Sequence, residues 1–128
     1  LDVKAQAIKR RDVRPPFALS DVGTVSNLEA IPQAATELER LDSVTAVVVL
    51  GDSDGVIRLS GRSGDDRVHM GKVLDSLTES IPLAGGGGHA RMGGGRVPIE
   101  HMNGLGPGEG LTREELNQQL FERMNGER

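Results

Sequence analysis

Apolar residues change their spacing several times along the chain, and each change marks an element. Residues 2–12 read as a short charged helix stopped by Pro15-Pro16, because proline removes a donor and clashes with the preceding turn. Phe17-Ala18-Leu19 follows as a strand leading into Ser20-Asp21-Val22-Gly23. Ile31, Ala34, Ala35, Leu38 and Leu41 recur at helical spacing, with Pro32 in a first turn that needs no donor from it. Residues 44–50 are almost continuously apolar and β-branched, as in a strand covered on both faces. Gly51-Asp52-Ser53-Asp54-Gly55 is a turn, and residues 56–60 are a returning strand. Met70, Val73, Leu74, Leu77 and Ile81 mark another amphipathic helix. Residues 85–95 read as a glycine-rich loop with a short helix starting near His89. Residues 96–99 read as an edge strand, since Pro98 cannot donate to a ladder. Residues 103–110 form a second loop. Thr112 and Glu115 then make a capping box, opening a helix with Leu116, Leu120, Phe121 and Met124 on one face. The expected class is α/β, a single domain with a central mixed β-sheet flanked by helices.

Composition narrows the function. The 128 residues suffice for one core, and 36% hydrophobic content suits a globular chain. No apolar run approaches the ~18 residues of a membrane span. The first residues carry no apolar segment of the signal-peptide kind, and cysteine is absent, which excludes disulfides and thiolate metal sites. The expectation is a cytoplasmic protein with no membrane partner. A net charge of -4 argues against coating long nucleic acid by electrostatics alone. Phe17 and Phe121 are the only aromatics, so base stacking is scarce and any nucleic-acid contact must rest on phosphates. Arginine greatly outnumbers lysine, and its planar fork suits phosphate, although codon bias explains the same ratio. The chain starts at Leu1 and reads as a piece of a longer protein.

The most specific stretch is Gly85-Gly86-Gly87-Gly88-His89, followed by Ala90-Arg91-Met92-Gly93. Consecutive amides without side chains can form a concave nest for an anion, and a histidine beside them adds a donor or a positive charge. A flexible glycine-rich connector explains the same composition. One helix upstream lies Ser60-Gly61-Arg62-Ser63. Arg62 is placed just past a strand, where α/β sheets present ligand-binding residues, but a surface arginine with helix-capping serines fits as well. Other patterns fail. Residues 64–72 have the wrong glycine spacing for a P-loop, with Val73 in place of Ser or Thr. Asp52-Ser53-Asp54-Gly55 lacks the distal Glu of a calcium loop. His69, His89 and His101 are too dispersed to suggest a local metal site. No nucleophile elbow occurs.

In this order, S-x-R-S at residues 60–63, a helical segment, and G-G-G-G-H at residues 85–89 resemble the DHH-associated C-terminal domain of the DHH phosphoesterases. That superfamily includes RecJ exonuclease, oligoribonucleases and exopolyphosphatase-related proteins. The resemblance runs over about residues 17–97. It implies that Arg62 and His89 hold the phosphate or terminal nucleotide of a substrate, with Gly86, Gly87 and Gly88 as close-approach backbone. Ser60 and Ser63 flank the arginine as further candidate contacts, and Arg91 reads either as an additional phosphate contact or as a solvent-facing side chain. Relatives commonly follow the histidine with an Ala-Ala-Gly step, whereas Arg91 and Met92 intervene here, which bears on substrate length and base preference. The family hydrolyses phosphoesters with metal ions, usually manganese, held by an N-terminal domain. No Asp-His-His occurs in this chain, so it is not expected to catalyse alone. Residues 1–16 then read as a linker helix from that missing upstream domain, and residues 17–128 as the substrate-binding domain. The implied partners are the catalytic domain and a short single-stranded nucleic acid or related phosphoester. Two other classes fit the same residues: a nucleotide-sensing regulatory module, and a structural or oligomerisation domain. A similar glycine-rich domain occurs in alanyl-tRNA synthetases, but the S-x-R-S element favours the phosphoesterases.

Overall fold

The computed structural model describes residues 2–102 and 112–128, so the loop expected over 103–110 lies outside the described residues. Its core is a six-stranded sheet in the order β1-β2-β3-β4-β6-β5, formed by β1 (Asp12–Arg14), β2 (Phe17–Thr24), β3 (Ala46–Ser53), β4 (Val56–Ser63), β5 (Gly85–Gly88) and β6 (Met92–Pro98). β2 and β3 are parallel and every other pair is antiparallel, so the sheet is mixed. Helices α1 (Val3–Lys9) and α2 (Ala30–Glu39) cover one face; α3 (Met70–Thr78) and α4 (Arg113–Glu127) cover the other.

The apolar run in the middle of the sequence becomes the central strand β3. Ala46, Val48 and Leu50 point into the α3–α4 core, while Val47 and Val49 point into the α1–α2 core. All five are fully buried, which is why this strand shows no polar alternation. α4 opens as its sequence suggests, with the Thr112 side chain accepting from the Glu115 backbone N–H at 3.0 Å.

Several boundaries differ from the sequence reading. β3 runs on through Gly51-Asp52-Ser53 of the expected turn, and α2 and α3 end at Glu39 and Thr78, short of Leu41 and Ile81. The first helix ends at Lys9, and Asp12-Val13-Arg14 forms a short strand beside β2. β4 continues to Ser63, which places Arg62 within the sheet instead of just past it. The largest change is at the glycines. Residues 85–95 form neither a loop nor a short helix; Gly85–Gly88 is the edge strand, and β6 lies between it and β4. Residues 96–99 are therefore not an edge: Arg96 pairs with Arg58 on one side and Gly85 on the other. β5 reaches only as far as Arg96, leaving Pro98 with a single neighbouring strand, where a missing donor is tolerated.

Glycine is a poor strand former by itself, so the reason is packing. A Cβ on Gly86 would lie 2.6 Å from the carbonyl oxygen of Leu74, and one on Gly71 would strike the carbonyl of Gly88. Helix α3 rests directly on the backbone of β5, and only a bare strand lets it approach that closely.

Candidate phosphate site

Register and parity sort the expected residues onto two faces. Along β4, Ile57, Leu59 and Gly61 face α3, so Arg58, Ser60 and Arg62 face the opposite side. Their partners on β6 are Arg96, Gly94 and Met92, of which Arg96 and Gly94 sit across from Gly85 and Gly87 on β5. α2 covers β3 and reaches β4, while β5 and β6 are backed by α3 on the other face. A Cβ on Gly85 or Gly87 would meet nothing within 4 Å. Among the described residues, the outer half of the sheet thus presents an uncovered floor of bare backbone beside a row of arginines.

Arg62 is half-buried at the hairpin end of this floor. Its Nη1 donates to the Gly61 carbonyl at 3.0 Å and to Ser60 Oγ at 3.3 Å. Ser60 is buried and helps to set the guanidinium. Ser63 has the other parity and shapes the backbone instead. Its Oγ donates to the Asp65 carbonyl at 3.1 Å and accepts from the Asp65 N–H at 3.2 Å. This local turn leads the chain toward α3. Asp65 lies below the usual carboxylate range, first because the Arg67 side chain donates to it.

His89 occupies the turn between β5 and β6, and its side chain is exposed. Its backbone is fully used. The N–H donates to Met92 O at 2.7 Å, and the carbonyl accepts from the Gly71 N–H at 2.9 Å. Ala90 O accepts from the Met70 N–H at 2.8 Å, and His69 Nδ1 accepts from the Lys72 N–H at 3.1 Å. The start of α3 is therefore capped by the glycine hairpin and by His69, leaving its first-turn donors occupied. This fixes the position of the turn while leaving the His89 imidazole open to solvent.

Arg91 is directed elsewhere. Its Nη2 lies 2.7 Å from Asp66, and Nη1 donates to Ser63 O at 3.4 Å, tying the hairpin turn to the loop after β4. The glycines divide as well. Gly86 faces α3, and Gly88 adopts φ +136°, a conformation that starts the turn and that L side chains rarely take. Gly87 faces the open floor. In an extended strand, successive amides point to opposite sides, so the expected nest of consecutive donors is replaced by a flat surface of bare backbone.

Sequence reasoning missed Arg58, Arg96 and Met92 on the same face. Their signal was the alternation Arg58-Ser60-Arg62, which has meaning only once β4 extends to Ser63. Met92 is 51% exposed opposite Arg62 and places an apolar surface beside the guanidinium. Also missed was the bridge at the far end of the sheet. There Arg113 of α4 donates to Asp21 at 2.6 Å and to Asp52 at 3.0 Å, fastening α4 to the C-terminal ends of β2 and β3. The Asp21 contact raises the Arg113 pKa above the ordinary guanidinium value, against the opposing effect of burial. Among the described residues, no three His, Asp or Glu side chains gather where they could hold a metal ion. No helix of the described residues is long and apolar enough to cross a membrane.

A bare hairpin against a helix N-terminus, a histidine at its turn and an arginine at the matching end of β4 together define the motif set. The family model described as the DHHA1 domain matches residues 15–105. This chain belongs to the DHHA1 domain family. As a DHHA1 domain, it is 30% identical over 114 residues to the uncharacterized protein MJ1633 of Methanocaldococcus jannaschii, covering 88% of this chain and 23% of that protein. The chain thus spans about a quarter of the curated relative it matches. The same fold occurs in the C-Ala domain of Aquifex aeolicus alanyl-tRNA synthetase, with TM-score 0.64, 18% identity, and coverage of 91% of this chain and 98% of that one. It recurs in PggH, a pGpG-specific phosphodiesterase of Vibrio cholerae, with TM-score 0.61, 16% identity, and coverage of 98% of this chain and 39% of that one. An exopolyphosphatase-related protein from Bacteroides fragilis superposes with TM-score 0.62 and 15% identity, covering 97% of this chain and 33% of that one. At these identities the shared property is the fold.

Proposed function

We propose that this DHHA1 domain is the substrate-binding part of a metal-dependent DHH phosphoesterase. In this reading it holds the phosphate or terminal nucleotide of a short nucleic acid or related phosphoester while an N-terminal domain hydrolyses it. The observation that carries the reading is the convergence of Arg62 and the His89 turn at one end of an uncovered, glycine-floored sheet face. Arg62 supplies charge-assisted hydrogen bonds from a guanidinium already oriented by Gly61 and Ser60. His89 supplies a second donor, Gly87 lets the ligand approach the backbone, and Met92 offers an apolar contact to a sugar or base. Ser63, Gly86, Gly88 and Arg91 act from behind by shaping the hairpin.

In this reading Asp and His side chains of the N-terminal domain would hold manganese, which would supply Lewis-acid activation of a water there. α1 joins that domain to this one, and the protein works in the cytoplasm. The full-length protein is expected to hydrolyse short 5′-phosphorylated RNAs in the presence of manganese and to lose that activity on chelation. The 128-residue chain alone is expected to be inactive. A full-length protein that hydrolyses none of short RNA, short DNA, polyphosphate and cyclic dinucleotides with manganese present would contradict the reading and favour a nucleotide-sensing module.

A further inference from the structure

The uncovered face extends beyond Arg62. Arg58 and Arg96 are direct cross-strand partners on that face, with Gly85 beyond Arg96 on the edge strand. Like charges placed opposite each other on a sheet repel unless something negative lies between or over them. Neither arginine has a carboxylate within ion-pair distance among the described residues. Arg96 donates through Nη1 to the Leu83 carbonyl at 2.9 Å, which leaves its other nitrogens available. The Nε of Arg58 is shielded from solvent and has no hydrogen-bond partner among the described residues. A buried guanidinium nitrogen without an acceptor is costly and rare in folded proteins. Between this pair and Arg62 the floor is Gly94, Gly87 and the small, buried Ser60, with no large side chain among the described residues to obstruct a chain lying across it.

We propose that Arg58 and Arg96 form a second phosphate subsite, so that the ligand is a phosphodiester chain lying along the sheet from Arg62 to Arg96. The proposal rests on Arg62 and His89 being the first subsite. Arg58 and Arg62 are four residues apart on one strand, or ~13 Å at the usual strand rise. That Cα spacing suits the end phosphates of a chain of three nucleotides, whereas AMP, with one phosphate, engages only one of the two subsites. Asp54 and Glu100 line a cavity with Arg96 at the far end of the face. Their negative charge ends the track there and disfavours longer polyanions.

The test compares AMP and the 5′-phosphorylated trinucleotide pApApA as ligands of the 128-residue chain, by amide NMR titration at several salt concentrations. Arg96→Gln is expected to weaken pApApA binding about tenfold, as for loss of one charged hydrogen-bond set. It should also reduce the salt slope by about 0.7, the share of one single-strand phosphate contact. AMP affinity should be unchanged. Arg58→Gln should act in the same way, and because Arg96 is exposed, Arg96→Gln keeps the test valid if the change at the half-buried Arg58 unfolds the domain. Equal weakening of both ligands by Arg96→Gln, or a pApApA affinity within twofold of the parent, would overturn the second subsite. AMP reports on the Arg62–His89 subsite alone, so AMP binding unaffected by both Arg62→Gln and His89→Ala would mark failure of the first subsite and of the proposal resting on it.

Discussion

Arg62→Ala and His89→Ala are each expected to lower kcat/KM of the full-length protein toward a short 5′-phosphorylated RNA by about 10²–10³-fold while leaving the melting temperature of the domain unchanged. Removing one oriented donor to a phosphate or oxyanion commonly costs that much, because a donor fixed before binding needs no reorganisation at the moment of reaction. Arg62 is fixed in this sense by the Gly61 carbonyl and Ser60 Oγ. The domain does not depend on either side chain for its fold. Arg62 has no ion-pair partner among the described residues, and the structural bonds of His89 are made by its backbone, which alanine retains. Steady-state kinetics on both single variants and the double variant check the expectation. Activity within a few-fold of the parent in the double variant would remove both residues from the substrate site.

The adjacent glycines should separate stability from binding. Gly86→Ala drives a Cβ to 2.6 Å from Leu74 O, a backbone atom of α3 that can yield only if the helix moves. Overpacking of this kind destabilises by about 1–3 kcal/mol, which for a domain of this size lowers the melting temperature by about 4–12 °C. Gly87→Ala meets nothing within 4 Å and should leave the melting temperature nearly unchanged. Its methyl group stands on the open floor, where it lifts a ligand off the backbone and weakens binding. Thermal denaturation and ligand titration of the two variants form a matched pair. Equal destabilisation by both changes would mean that the two faces of β5 are not distinguished as described.

Much of the fold was legible because it obeys a period. β3 announced itself by an unbroken β-branched run, α2 and α3 by helical spacing, and α4 by its capping box. β1 was not legible, since three residues with two exposed charges carry no strand signal and owe their form to pairing with β2. The glycine hairpin was hidden for a deeper reason. Glycine has neither side-chain periodicity nor strand propensity, and what makes residues 85–88 a strand is the contact with Leu74 and Gly71 far away in sequence. Arg62 and His89 were visible through a family motif that keeps its order. Arg58, Arg96 and Met92 were not, because their shared face exists only in the register of β4 with β6. Arg91 shows the opposite case: a cation beside the motif that the structure ties to Asp66.

The Arg62–His89 end of the sheet is expected to bind a phosphate-bearing ligand. An amide NMR titration of the chain with a short 5′-phosphorylated RNA tests it most directly, with inorganic phosphate as the control. It detects even millimolar affinity, about -4 kcal/mol. Saturable shifts are expected at Arg62 and at residues 86–89, stronger for the RNA than for phosphate and abolished in His89→Ala. Unmoved amides at those positions up to millimolar RNA, or shifts confined to other parts of the sheet, would contradict it.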